Sequence, residues 1–266
     1  MRMKAKVVLL VLLVFILGAC DNKEYKNGEE YFKQAQIYWD KKEFQKSFEL
    51  YKKACELKSI GACWRMQEIY LYEFEVLNIT KDEQKANEYH QKAFEFAKEA
   101  CQEDDGEACY ILGRKYNDYF SDEELLELLT KACKLEVGRA CLSEKFAKEG
   151  QEYFEKGFEL INKACKKNSW NDCWLVGTIY DNGSKIKRDI TTARKFYQKA
   201  LKLAQKECLA GDYYQACFAL GTFYEDGFGV EKNFKKAKEY YEKSCNVGNS
   251  MGCKLKSIME NIIKNL

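Results

Sequence analysis

The 266-residue chain contains no proline. Proline interrupts helix interiors, so its complete absence leaves long helices unbroken. Lys, Glu, Ala, Leu and Tyr are abundant instead, a composition that suits helices and argues against an all-β chain. There is one histidine, His90. Catalytic zinc usually takes two or three histidines, so no metal is expected. His90 lies in a Lys-rich helical stretch and reads as a solvated surface residue. Charge of one sign is also missing: 44 Lys and Arg stand against 42 Asp and Glu. The two signs are interspersed, which excludes the basic surplus of a nucleic-acid binder. A Gly-rich phosphate loop, a dinucleotide fingerprint and a Ser/His/Asp set are absent too, so no cofactor is expected. The long apolar run is Val7 to Leu17, too short to cross a bilayer comfortably.

That run follows Arg2, Lys4 and Lys6 and ends in Leu17-Gly18-Ala19-Cys20. A basic start, an apolar centre and small residues before a cleavage point are the marks of a secretory leader. The cysteine directly after them resembles the lipobox of bacterial lipoproteins. The resemblance implies that residues 1–19 are removed and that Cys20 is lipidated at its thiol. Residues 20–27 then form a polar tether. The mature chain is expected to be exported and membrane-anchored in a bacterial envelope, on the periplasmic or the outer side. Without the three leader cations, 41 basic residues oppose 42 acidic ones.

Twelve further cysteines fall into six close pairs: Cys55/Cys63, Cys101/Cys109, Cys133/Cys141, Cys165/Cys173, Cys208/Cys217 and Cys245/Cys253. Five pairs are eight positions apart and one is nine. In an exported chain disulfides are the first reading, and metal ligation is the alternative. Structural zinc prefers cysteines two to four residues apart, which this spacing does not supply.

The pairs recur with other residues. Lys-Ala-Cys closes a helical run at Cys55, Cys133 and Cys165. Tyr follows the second cysteine by seven positions at Tyr70, Tyr116, Tyr180 and Tyr224. Gly follows it by four at Gly113, Gly177 and Gly221, where a small residue lets helices approach closely. First cysteines are 46, 32, 32, 43 and 37 residues apart. Two units carry a seven-residue insert, close to two helical turns. The two 32-residue units lack the Gly-containing loop seen as Asp226-Gly227-Phe228-Gly229-Val230. The underlying period is about 36, in the range of two-helix repeats.

This period, the Ala-Cys…Ala-Cys spacing and the Gly-Val loop resemble the Helicobacter cysteine-rich protein family, a disulfide-bearing branch of the Sel-one-like repeats and a cousin of the tetratricopeptide repeats. The resemblance covers roughly Gly28 to Cys253. Asp172 departs from it, standing where Ala usually precedes the second cysteine. The expected fold is all-α: an α/α solenoid of disulfide-stapled two-helix repeats, a TPR-like superhelix. Residues 28–266 should hold about six such repeats with a C-terminal capping helix. Turn residues such as Asp104-Asp105-Gly106 and Glu136-Val137-Gly138 lie inside the close pairs. Each bridge is therefore expected to join its own close pair and to staple one hairpin across its turn.

Two functions follow as expectations. The first is a scaffold that binds a protein or peptide on a concave face. Trp170, Tyr213 and Tyr214 lie between helices and are the candidate contact residues. Trp64 and Trp174 recur directly after a second cysteine and read as core. The alternative comes from the resemblance, whose members are associated with penicillin binding and weak β-lactamase activity. One Ser-x-x-Lys is present, Ser184 to Lys187, but its usual companions Ser-Asp-Asn and Lys-Thr-Gly are not. Ser184 therefore reads as a loop residue, and catalytic residues are not assigned.

Overall fold

The computed structural model describes residues 27–72, 77–143, 151–183, 185–210, 214–246 and 249–265. Thirteen α-helices and no β-strand occur among them. Helix α1 covers residues 27–40. It is followed by α2 (Phe44–Glu56), α3 (Ile60–Tyr72), α4 (Glu83–Gln102), α5 (Gly106–Lys115), α6 (Asp122–Lys134) and α7 (Gly138–Cys141). Then come α8 (Gln151–Lys166), α9 (Trp170–Asn182), α10 (Ile190–Ala210), α11 (Tyr214–Asp226), α12 (Phe234–Asn246) and α13 (Ser250–Lys264). A 3₁₀ turn, Asn117–Tyr119, joins α5 to α6. No described helix is long and apolar enough to cross a membrane. The chain divides into two compact units, Met1–Phe96 and Ala97–Leu266. In the second unit each helix packs on the next in sequence, from α5 to α13, which makes it a solenoid of helix pairs.

All six close cysteine pairs are bonded: Cys55–Cys63, Cys101–Cys109, Cys133–Cys141, Cys165–Cys173, Cys208–Cys217 and Cys245–Cys253, with Cα atoms 4.6 to 4.9 Å apart. Each bridge links the last turn of one helix to the first turn of the next. The tight turn between them repeats in detail. The third residue after the first cysteine has positive φ: Lys58 at 63°, Asp104 at 66°, Glu136 at 65° and Asn168 at 72°. The next residue sends its N–H back to the carbonyl before the cysteine, as in Ser59 to Ala54 and Ser169 to Ala164. That six-to-one bond closes the helix end. Asp105, Ser169 and Asn249 then cap the following helix by accepting the N–H of the residue just before the second cysteine.

The glycines that the sequence marks as turn formers do something else. Gly106 and Gly138 sit inside helices, and the left-handed residues are Asp104 and Glu136. A Cβ on Gly138 would lie 2.8 Å from Leu160 Cβ, and one on Gly106 would lie 2.8 Å from Leu135 Cβ. These glycines admit the neighbouring chain rather than bend their own.

Candidate interaction surface

The cores between helices are built from the recurring positions. Tyr180, seven residues after Cys173, stacks on Phe196 of the next helix, with centroids 5.9 Å apart. Tyr224 stacks on Tyr240 at 5.5 Å, and Tyr70 on Tyr89 at 5.8 Å. The carbonyl of the same tyrosine receives the N–H of the residue that caps the next helix: Asp82 to Tyr70, Asp189 to Tyr180 and Asn233 to Tyr224, all within 2.9 Å. One residue thus fixes both the ring stack and the start of the following helix. Lysines cover two of the stacks. Lys85 lies 5.1 Å from the Tyr70 ring and Lys92 lies 5.2 Å from Tyr89. Lys236 and Lys243 stand at 5.1 Å from Tyr224 and Tyr240. Burial and the neighbouring Tyr70 push the Tyr89 hydroxyl up to about 12, so it stays neutral.

The glycine four residues after the second cysteine receives a side chain of the next helix. A Cβ on Gly177 would meet Tyr197 Cδ1 at 2.6 Å, and one on Gly221 would meet Tyr241 Cδ1 at 2.4 Å. Tyr241 donates its hydroxyl to Glu225, and Tyr197 donates to Asp181 at 3.4 Å. Burial, reinforced by the carboxylate bond, raises the Tyr241 pKa well above its ordinary value.

His90 occupies the register of these tyrosines, and Gln67 that of the glycines. The imidazole Nδ1 is 3.4 Å from Gln67 Oε1. His90 is half-buried, which corrects the expectation of a solvated residue, and burial lowers its pKa. The signal was present in the sequence, because His90 stands eleven residues before Cys101 as Tyr197 stands before Cys208.

Trp170 begins α9 and is half-buried, edge-on to Phe223 with centroids 6.5 Å apart. It borders a core of Cys165, Cys173, Leu220 and Phe223, so much of its ring is committed to packing. Trp174 is half-buried against Phe228, and Trp64 is half-buried. Phe228 enters from the Gly-Phe-Gly-Val loop and also meets Tyr197 at 4.9 Å. Gly229, at φ 69°, lets the loop lie on the backbone of α10, where a Cβ would be 2.7 Å from Gln198 N. Tyr213 lies outside the described residues, as does the side chain of Tyr214, whose backbone opens α11.

Cys20 and Ser184 also lie outside the described residues. Lys185 and Lys187 are exposed. Asp172 is 8% exposed and accepts a hydrogen bond from the Ser169 hydroxyl, the cap of its own helix. That bond accounts for a carboxylate where the repeat usually has Ala. No cluster of His, Cys, Asp or Glu suited to a metal occurs among the described residues.

These features define an α-helical repeat protein whose successive helices are bridged by cystines. The chain belongs to the Sel1 repeat family, whose pattern matches residues 25–59, 62–104, 172–204 and 215–249. Proteins of this family are typically non-catalytic scaffolds for protein–protein interaction. Among solved structures, the antigen c5321 of uropathogenic Escherichia coli, which has an SLR fold, is 21% identical over 88% of this chain, with a TM-score of 0.39. The aligned part spans 49% of that protein's length. Cysteine rich protein B of Helicobacter pylori is 31% identical over 50% of this chain and 93% of its own, with a TM-score of 0.33. A Sel1 repeat protein of Oxalobacter formigenes is 18% identical over 88% of this chain and 86% of its own, with a TM-score of 0.38. No curated protein matches the chain.

The family pattern places the cystines relative to the repeats. Three of the four matched repeats hold two helices around a longer loop, such as α3 with α4, whereas the first holds α1 and α2 around the three-residue turn 41–43. Cys55 lies in the first matched repeat and its partner Cys63 in the second. Cys101 lies inside the second and its partner Cys109 beyond it. Cys208 lies before the last matched repeat and its partner Cys217 inside it. Cys165–Cys173 and Cys245–Cys253 cross repeat limits in the same way, whereas Cys133–Cys141 falls in the unmatched stretch between residues 104 and 172. Each bridge joins its own close pair and staples two helices across their turn, as expected, and by the limits of the family pattern five of the six bridges have one partner on each side of a repeat limit. Packing agrees in part: α9 on α10 and α11 on α12 are more extensive than α8 on α9 or α10 on α11. The last pair, α12 with α13, packs as extensively despite its bridge.

Proposed function

We propose that this chain is an envelope-anchored scaffold that binds a protein or peptide outside the cytoplasm and is held to the membrane by a lipid on Cys20. The observation that carries the reading is the set of six cystines, each across a turn between successive helices. Such bonds persist in oxidising compartments and are rare in the cytosol. Membership of a family of interaction scaffolds supports the binding role. The leader-like start and the small residues before Cys20 support the anchor.

The test is made in cells that express the full chain. Wild type should fractionate with membranes, and Cys20→Ala should release the chain or leave its leader uncleaved. Crosslinking in intact envelopes should then capture a defined protein adduct. Reduced cysteines in chain taken from cells, or crosslinking without any specific adduct, would sink the proposal.

A further inference from the structure

The two lengthened helices, α4 and α10, present the same inner face and opposite outer faces. Counted back from Cys101 and Cys208, the inner positions hold Ala in both: Ala86, Ala93 and Ala97 in α4, and Ala193, Ala200 and Ala204 in α10, each buried. On the outer side α4 carries Glu88, Glu95 and Glu99, and α10 carries Lys195, Lys202 and Lys206 at the same three positions. All six are exposed. Steps of seven and four residues keep each set within about 40° of arc on a helix of 3.6 residues per turn.

At the one matching position with like charge, the lysine of α10 is drawn away from the outer stripe, while that of α4 is exposed beside Glu88. Lys199 Nζ donates to the Cys165 carbonyl at 2.8 Å, at the end of α8. Its counterpart Lys92 lies over the Tyr89 ring. Among the described residues no ion pair engages Lys195, Lys202 or Lys206. The outer face of α4 is open around Glu88, which lines a shallow depression with Lys92 and their neighbours.

We infer that the lysine face of α10 docks against the glutamate face of α4 on a second copy of this chain. The spacing sets the direction. Seven-then-four matches seven-then-four only when the two helices run parallel, so Lys195 meets Glu88, Lys202 meets Glu95 and Lys206 meets Glu99. The near balance of 44 basic and 42 acidic residues leaves no strong long-range repulsion between copies. The contact joins different surfaces on the two copies, so it is heterologous and extends as a ring or a chain of copies. Exposed ion pairs are individually weak and screened by salt, so the association is salt-sensitive.

The test is sedimentation of the full chain in a density-matched non-ionic detergent. Raising salt from about 0.01 M to about 1 M shortens the screening length from about 30 Å to about 3 Å, and the association constant should fall at least about tenfold. K195E/K202E/K206E alone and E88K/E95K/E99K alone should each stay monomeric at low salt. Mixing the two variants should restore assembly, because each then supplies the charge the other lost. Circular dichroism matching wild type establishes that the variants fold, and the milder Lys→Gln set should weaken assembly without abolishing it. A wild type that stays monomeric at low salt, reversal variants that assemble as before, or a mixture that fails to assemble would each overturn the inference.

Discussion

Within the second unit, the stretch α9–α12 and the shorter stretch α5–α6 meet the same packing demand with different side chains. In α9–α12 a tyrosine ring lies on a helical glycine: Tyr197 on Gly177 and Tyr241 on Gly221. In α5–α6 the glycine is Gly113 and the visitor is Leu129, whose Cδ2 would stand 3.1 Å from a Cβ placed there. The loops differ in step. The longer stretch threads Gly-Phe-Gly-Val between helices and packs a half-buried Phe228 against Trp174, Tyr197 and Phe223. The shorter one closes with a single 3₁₀ turn and begins α6 with a capping box between Ser121 and Glu124. Tyr116 then turns to Tyr119 instead of stacking on the next helix. A flat ring needs a flat backbone and a loop long enough to bring it over; a leucine needs neither. The repeat register survives the shorter loop because the helix-to-helix contact tolerates either shape.

The comparison can be broken first at the bridge beside α9. Removing Cys165–Cys173 by a double Cys→Ala change should lower stability by about 2.6 kcal/mol from loop entropy, read by urea denaturation of the oxidised chain. Cys133–Cys141, in the shorter repeats, closes a loop of the same length and should cost the same, because this term depends on loop length alone. Next comes the glycine. Gly221→Ala should destabilise by about 2 kcal/mol, since the rigid Tyr241 ring cannot clear the new methyl. Gly113→Ala should stay within about 0.5 kcal/mol, since Leu129 can rotate and Ala favours the helix. Equal effects at the two sites would erase the distinction between ring and leucine contacts.

Tyr241→Phe should cost about 1 kcal/mol, the loss of one hydrogen bond to Glu225, measured as a shift in the denaturation midpoint. The smallest effect concerns the third variant of the same contact, Gln67 with His90. Burial lowers the His90 pKa below its unfolded value of 6.5. The unfolded chain therefore binds the proton more readily, and the fold loses stability as pH falls through that value. His90→Gln should flatten the stability profile between neutral pH and about pH 5, a range in which few other side chains titrate. A profile unchanged by the substitution would show that the imidazole stays solvated.

Much of this was legible in the chain itself. Tyr70, Tyr180 and Tyr224 recur at one spacing, and each carries the same ring stack and the same backbone bond. The pairing of Cys55 with Cys63, Cys101 with Cys109 and Cys208 with Cys217 followed from closeness in the chain. The role of the glycines was half legible. Gly177 and Gly221 do permit close approach, but Gly106 and Gly138 are helix residues, and Asp104 and Glu136 take the left-handed turn instead. Composition rules place glycine at positive φ; here the six-to-one backbone bond of the cystine turn outweighs that preference at a non-glycine residue. His90 was misplaced because a lone histidine among lysines looks solvated until its register is compared with Tyr197. Trp170 was placed between helices, yet it sits on the first turn of α9 with Phe223 against its edge.

The amino-acid order alone determined the helices, the period and which cysteines stand close, because these depend on contacts spanning at most a few turns of chain. Only the tertiary structure decided that Gly106 and Gly138 sit inside helices while Asp104 and Glu136 take the left-handed turn, and that α4 and α10 each bury an alanine face. Those facts depend on which side of each helix is covered, and cover is supplied by residues far away in the chain.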